Sequence, residues 1–246
     1  MKPWSAYRIG ILLSALLFIT CEKDPYVCDT CVAVPEALPA NDASGRGIYK
    51  GIVLGSTGTL KIDVANRDNT ISAVLRIDGK RYDLYPFENE GIYKDGYCGE
   101  LSGNMFAEHD IILSVCVNGS GTYYKVEAIT IPTHEDVYIH VVKEFSMGLI
   151  EAFEGTFSGD ASGNFNLLVL RDEHGNGFWR AASKDTEGHR GFYEGSIHSG
   201  TMEGDGKISN VESINIGGSL VGDGVRGNWE NTLDEISGTW NGRRTL

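Results

Sequence analysis

The chain has 246 residues, 34 acidic against 21 basic side chains, a net charge of −13 and 41% hydrophobic residues. That length and composition suit one large or two modest globular domains. The acidity sets aside nucleic acid and ordinary anionic bilayer surfaces as partners, since binding either rests on basic residues that neutralise phosphates.

Lys2 and Arg8 give a basic start, and an uncharged apolar run follows from Ile9 to Ile19. A bilayer takes about twenty helical residues to cross, so this run has the length of a signal-peptide core rather than of a span. Cys21 follows directly. Leu16-Leu17-Phe18-Ile19-Thr20-Cys21 resembles a lipobox, in which the cysteine takes a diacylglycerol on sulfur, the leader is cut before it and the new amino terminus is acylated. Phe18 and Thr20 depart from the commonest residues of that pattern. The alternatives are an ordinary secretory signal or an uncleaved anchor; no small-x-small cleavage site stands near Cys21, and the run is short for an anchor. The preferred reading is a signal peptide at 1–20 and a lipidated tether at 21–45, with the membrane as partner through the acyl chains. The tether carries Pro25, Pro35 and Pro39 and few large apolar residues, and is expected to stay extended. Without residues 1–20 the charge becomes −15, from 19 basic and 34 acidic residues.

Four cysteines remain, Cys28, Cys31, Cys98 and Cys116. An even set in an exported chain reads first as two disulfides with three connectivities. Cys28 and Cys31 form a C-x-x-C, but Val32 stands where haem attachment needs histidine. A zinc ribbon would need a second close pair, and a thioredoxin-like site a strand before and a helix after. Cys28–Cys31 with Cys98–Cys116 is the preferred pairing. Cys116 falls on the less apolar side of its strand, with Asp110 and Ser114, where a staple would leave the core undisturbed.

From Gly47 onward, period-two alternation dominates. Leu60, Ile62 and Val64 share a face in Thr59–Val64; Ser72–Ile77 and Lys80–Tyr85 flank Asp78-Gly79, a hairpin signal because both turn positions need positive φ. Further strands are expected at His109–Asn118, Thr122–Ile131 and Val137–Val142, with Asn118-Gly119-Ser120-Gly121 as a turn. Over 143–153 the spacing changes: Phe145, Leu149 and Phe153 recur every four residues, which predicts a short helical joint weakened by Gly148. The second half repeats the opening of the first. Gly47-Ile-Tyr49-Lys-Gly51 is matched by Gly155-Thr-Phe157-Ser-Gly159, Gly191-Phe-Tyr193-Glu-Gly195 and Gly238-Thr-Trp240-Asn-Gly242. An aromatic between glycines predicts an inward ring on a strand that bends or lies close to its neighbours. Short strands with turns about every ten residues predict an antiparallel meander. The expected fold is all-β: two meander or barrel-like domains, residues 46–142 and 154–246, joined by the short helix.

In order, the lipobox, the proline-bearing segment, the G-x-Y-x-G region, Val141-Val142-Lys143-Glu144 and the restart at Glu154-Gly155-Thr156-Phe157-Ser158-Gly159 resemble surface lipoproteins common in Bacteroidetes. Glu22-Lys23-Asp24 is similar to the short export signal of such proteins. The resemblance covers most of the mature chain and implies an outer-membrane or cell-surface location and a two-part β architecture; it implies no activity.

No H-E-x-x-H, nucleophile elbow, phosphate loop or dinucleotide fingerprint occurs. His134-Glu135-Asp136 and Glu108-His109-Asp110 read as solvated turns of an acidic chain rather than metal sites. Asp172-x-His174-x-Asn176-Gly177 begins like a calcium loop, but Ser183 stands where the bidentate glutamate belongs. No cofactor or metal is expected. Aromatics remain as candidates for stacking sugar rings: Tyr82, Tyr85, Phe87, Tyr93 and Tyr97 in the first half, with Phe87, Tyr93 and Tyr97 expected at the surface, and Trp179, Phe192, Tyr193, Trp229 and Trp240 in the second. The bland reading is that most of these rings fill β-cores. The expected function is a non-catalytic envelope module that binds a glycan or an envelope or host protein. The alternatives are a lipocalin-like carrier of a small apolar ligand and, after it, an enzyme acting on polysaccharide.

Overall fold

The computed structural model describes residues 27–28, 31–54, 58–87, 93–106, 108, 110–135, 137–208 and 212–246, without the side chains of Leu54 and Glu212. Cys21 and the predicted signal peptide lie outside these residues. Among the described residues sixteen strands carry the fold. In the first half they are β1 (Gly47–Leu54), β2 (Gly58–Val64), β3 (Ile71–Ile77), β4 (Lys80–Pro86), β5 (Gly96–Gly103), β6 (Ile111–Asn118), β7 (Tyr124–Thr130) and β8 (Tyr138–Lys143). In the second they are β9 (Leu149–Gly159), β10 (Gly163–Arg171), β11 (Gly177–Asp185), β12 (Arg190–His198), β13 (Thr201–Ile208), β14 (Glu212–Val221), β15 (Gly224–Asn231) and β16 (Ile236–Arg244).

The first eight form one antiparallel sheet in the order β7-β6-β5-β4-β3-β2-β1-β8, curled so that its edges approach without a closing ladder. β1 to β7 are successive neighbours, and β8 returns to pair with β1. Alternation explains the core directly: β3 and β6 bury every second residue. Asp78 and Gly79 have φ of 51° and 71°, the positive values that a tight turn between β3 and β4 requires. Cys98 and Cys116 face each other across β5 and β6 and are disulfide-bonded, on the side away from the core. Cys28 and Cys31 form the second disulfide.

The last eight strands close an up-and-down barrel, with β9 pairing both β10 and β16. Phe153, Phe165, Trp179, Trp229 and Trp240 fill it. Phe165 and Trp240 meet edge to face at 5.6 Å, and Phe157 meets Trp229 likewise at 6.3 Å. The repeated glycines make room for these rings. A Cβ on Gly238 would lie 2.5 Å from Trp229 Nε1, and one on Gly227 2.7 Å from Trp240 Cε2, so larger residues there would displace the indoles.

Two sequence expectations are corrected. The joint over 143–153 is not helical: Lys143 ends β8, residues 145–148 form a turn closed by Gly148 N–H to Phe145 O at 3.0 Å, and Leu149 opens β9. The four-residue spacing arose because Leu149, Ile150, Glu151, Ala152 and Phe153 are all buried. One face of β9 lines the barrel and the other lies against the first sheet, which erases the period-two signal. The described part of the 21–45 segment is packed, not extended. Pro39–Asn41 makes a 3-10 turn, Asn41 is buried, and Glu36 and Ala37 donate their N–H groups to Glu144 Oε2 at 2.8 and 3.3 Å. Lys143 Nζ donates to the carbonyls of Asn41, Asp42 and Ser44.

Candidate functional site

The two sheets meet along an apolar seam in which Ile52 of β1 packs with Ile150 and Ala152 of β9, Leu168 of β10 and Ala182 of β11. Beyond this seam the surfaces part and leave a cleft of about 660 Å³, within the range of small-molecule sites, which favour such junctions. The first sheet contributes Ile52, Tyr138 and His140. The barrel wall contributes Arg180 and Ala182, then Arg190, Phe192 and Glu194, then Asp205 and Lys207.

Strand geometry puts these side chains together. On β8, Tyr138 and His140 point outward while Ile139 and Val141 enter the first core. On the barrel, register sets three rungs facing away from its interior: Arg180 beside Glu194 beside Asp205, Ala182 beside Phe192 beside Lys207, and Lys184 beside Arg190. Ala182 is small, which keeps the floor low between its larger neighbours. Tyr138 and Phe192 are 50% and 54% exposed, so two ring faces are offered to solvent at the cleft.

Arg180 bridges the two walls. Its Nε lies 3.3 Å from Glu194 Oε2, and its Nη1 donates to His140 Nε2 at 3.4 Å. Burial, and then the charge of Arg180, holds the His140 imidazole below its usual pKa. The ring is therefore neutral at physiological pH, with Nε2 as an acceptor. Such a cleft can stack an apolar ring face and hydrogen-bond to hydroxyls around it.

The five first-half aromatics do not form one surface. Tyr93 and Tyr97, expected outside, are buried in the first core, and Tyr82 packs partly against it. Arg46 stacks on Tyr93 at 4.8 Å, and Tyr93 N–H donates to Asn69 O, which ties the irregular stretch inward. Tyr85 and Phe87 are exposed. In the second half Trp179, Trp229 and Trp240 belong to the barrel core and Tyr193 packs partly against it, whereas Phe192 is exposed. Tyr138, His140 and the basic residues of the cleft carried no sequence motif; their only signal was alternation, which puts them on the outer faces of strands.

Among the described residues no group of three or more His, Cys, Asp or Glu is arranged to hold a metal. His109 and Asp136 lie outside those residues. His134 Nε2 is 2.9 Å from Asp78 Oδ2 and joins two turns. Asp172 Oδ1 accepts the N–H groups of His174 and Asn176, so its loop is a capped turn. The barrel interior holds an apolar cavity of only about 70 Å³, lined by residues including Phe165, Trp179, Met202, Trp229 and Trp240. Comparison with protein-family models, with curated proteins and with solved structures finds no match.

Proposed function

We propose that this chain is a cell-surface lipoprotein of the Bacteroidetes type, held in the outer membrane by acyl chains on Cys21, and that it works as a non-catalytic glycan-binding module. The observation that supports the binding reading is the cleft of about 660 Å³ with Tyr138 and Phe192 exposed at it. Aromatic faces beside charged and hydrogen-bonding groups suit a saccharide, whose rings present C–H faces and a rim of hydroxyls. The cavity of about 70 Å³ inside the barrel falls far below what a drug-sized ligand fills, so the carrier reading gains no support. Two carboxylates, Glu194 and Asp205, line the cleft, but they are cross-strand neighbours on one wall. Glycoside hydrolysis needs them flanking the scissile bond, and the opposite wall offers Ile52, Tyr138 and His140.

The anchor and the cleft are compatible in space. Six residues separate Cys21 from Cys28, so the lipid lies within about 25 Å of it. Cys28 N–H donates to Asp223 Oδ2 at 2.8 Å, in the turn between β14 and β15. Gly177, at the start of β11, is at the same end of the barrel; Ala182 and Lys184 lie roughly 17 to 23 Å further along that strand. The cleft is then carried away from the bilayer.

Palmitate labelling of wild type against Cys21→Ala tests the anchor: loss of label in the variant is expected, and equal labelling would contradict it. A glycan array probed with the detergent-solubilised mature protein tests the site. Tyr138→Ala and Phe192→Ala are each expected to weaken the retained glycan about five- to tenfold, as loss of about 1 kcal/mol of stacking implies. Retention unchanged in both variants would move the site elsewhere.

A further inference from the structure

We infer that the glycan taken by this cleft is acidic, its carboxylate or sulfate seated at the end of the cleft formed by Arg190 and Lys207, with Lys184 beside Arg190 on the same face. The inference rests on the glycan-binding reading above and adds the chemical class and the polarity of the ligand. Lys184 and Arg190 are direct cross-strand partners, and Lys207 lies opposite Phe192, two residues from Arg190 on the same face. Three cations therefore occupy adjacent positions on one patch of sheet, in a chain where acids outnumber bases 34 to 21. Like charges side by side on a sheet are unfavourable. Neither Lys184 nor Lys207 has an ion-pair partner among the described residues, and both are exposed. Two exposed lysines flanking an arginine beside a ring face supply the positive field that an anion-binding subsite requires.

The rest of the cleft gives the ligand a direction. Beside Lys207 and one rung away from Lys184 and Arg190, Phe192 offers a ring face, and Tyr138 stands on the other wall. One rung further, Glu194 and Asp205 are neighbours, with Arg180 committed to Glu194 and His140. Carboxylates at that end repel an anionic group and accept hydrogen bonds from hydroxyls. The acidic group of the sugar therefore points to Lys207, its ring lies over Phe192, and its neutral hydroxyl-bearing portion lies toward Asp205. The net charge of −13 disfavours extended polyanions and anionic bilayers at long range, while a short acidic oligosaccharide reaches the patch within a Debye length.

The test compares neutral oligosaccharides with uronic-acid-containing and sulfated ones, using the detergent-solubilised mature protein at low and high salt. Acidic ligands are expected to bind at least about tenfold more tightly than neutral ones of equal length. Lys207→Gln and Lys184→Gln are each expected to remove about tenfold of that preference, as a charge-assisted hydrogen bond is worth, and added salt should weaken binding. Both side chains are exposed, so the variants should fold, which circular dichroism checks. Equal affinity for neutral and acidic ligands, or no effect of either variant, overturns the acidic assignment and leaves the glycan reading standing. No retention of any saccharide overturns both. Retention of the unlipidated Cys21→Ala chain on anionic vesicles, without saccharide binding, also overturns both.

Discussion

Glu144→Ala is expected to lower folding stability by about 3 to 5 kcal/mol, the usual cost of stranding a buried charge. The Glu144 side chain has no solvent exposure, and Lys50, fully buried as well, donates to it at 2.6 Å. Glu144 also accepts the N–H groups of Glu36, Ala37 and Ile150 at 2.8, 3.3 and 3.3 Å. The residue therefore ties three parts of the chain together: the N-terminal segment, β1 and the start of β9. Its removal takes the nearest acid from the buried Lys50 ammonium, which keeps only Glu36 Oε2 at 3.5 Å and the Ile150 carbonyl at 3.3 Å, and leaves three backbone donors without an acceptor. A shift of the denaturant midpoint with little change in slope is the measurement. The double variant Lys50→Met with Glu144→Leu should recover part of the loss, because it removes the stranded cation, but not all, because the backbone donors stay unsatisfied. Loss below 1 kcal/mol for Glu144→Ala would show that the network carries little.

The same network gives acid sensitivity a sign. Burial alone would raise the Glu36 carboxyl, but the hydrogen bond from Lys61 and the charges of Lys50 and Lys61 hold it below the ordinary carboxylate value. A carboxylate lowered in the folded state contributes stability that is fully present above its unfolded value, about 4.3. That contribution is lost as pH falls through the lower folded value. The N-terminal segment should accordingly become protease-sensitive in acid before the barrel does.

Arg244→Ala is the second large effect expected, again about 3 to 5 kcal/mol. Glu151 is completely buried and shared by Arg244 at 3.1 Å and by Arg171. Arg244 also pairs with Asp223 at 3.3 Å and donates to the carbonyls of Leu246 and Val32. One guanidinium thus joins β9, the β14–β15 turn, the C-terminus and the segment that follows the Cys28–Cys31 disulfide. Arg171 alone cannot supply these contacts, so both thermal stability and protection of residues 31–38 from protease should fall together. Arg244→Lys should not rescue, since a single ammonium cannot bond four groups lying in different directions. Full rescue by lysine would mean that charge alone matters there.

How much of this was legible in the sequence depended on whether the partners were close in the chain. The strands around Leu60-Ile62-Val64 and the Asp78-Gly79 turn declared themselves through alternation and turn chemistry, and the aromatic-between-glycine repeats marked inward rings such as Tyr49 and Trp240. Cys98 and Cys116 were legible because each lies in a strand of a local pair. β9 was misread as helix because it is buried on both sides. The proline-bearing segment looked extended because the residues that dock it, Glu144 and Arg244, lie more than a hundred positions away. The cleft was illegible for the same reason: its walls come from residues near 52, 138–140, 180–194 and 205–207, brought together only when barrel and sheet meet. Of its lining residues, Phe192 and Tyr193 stood among the sequence candidates.

The most direct test of a glycan site at this junction is a resonance-perturbation map, by NMR, of the mature protein titrated with the tightest saccharide from the array. The largest shifts are expected at Tyr138, His140, Phe192 and Lys207, with Tyr85, Phe87 and the barrel interior unmoved. Shifts confined to Tyr85 and Phe87, or to the tryptophans inside the barrel, would contradict it.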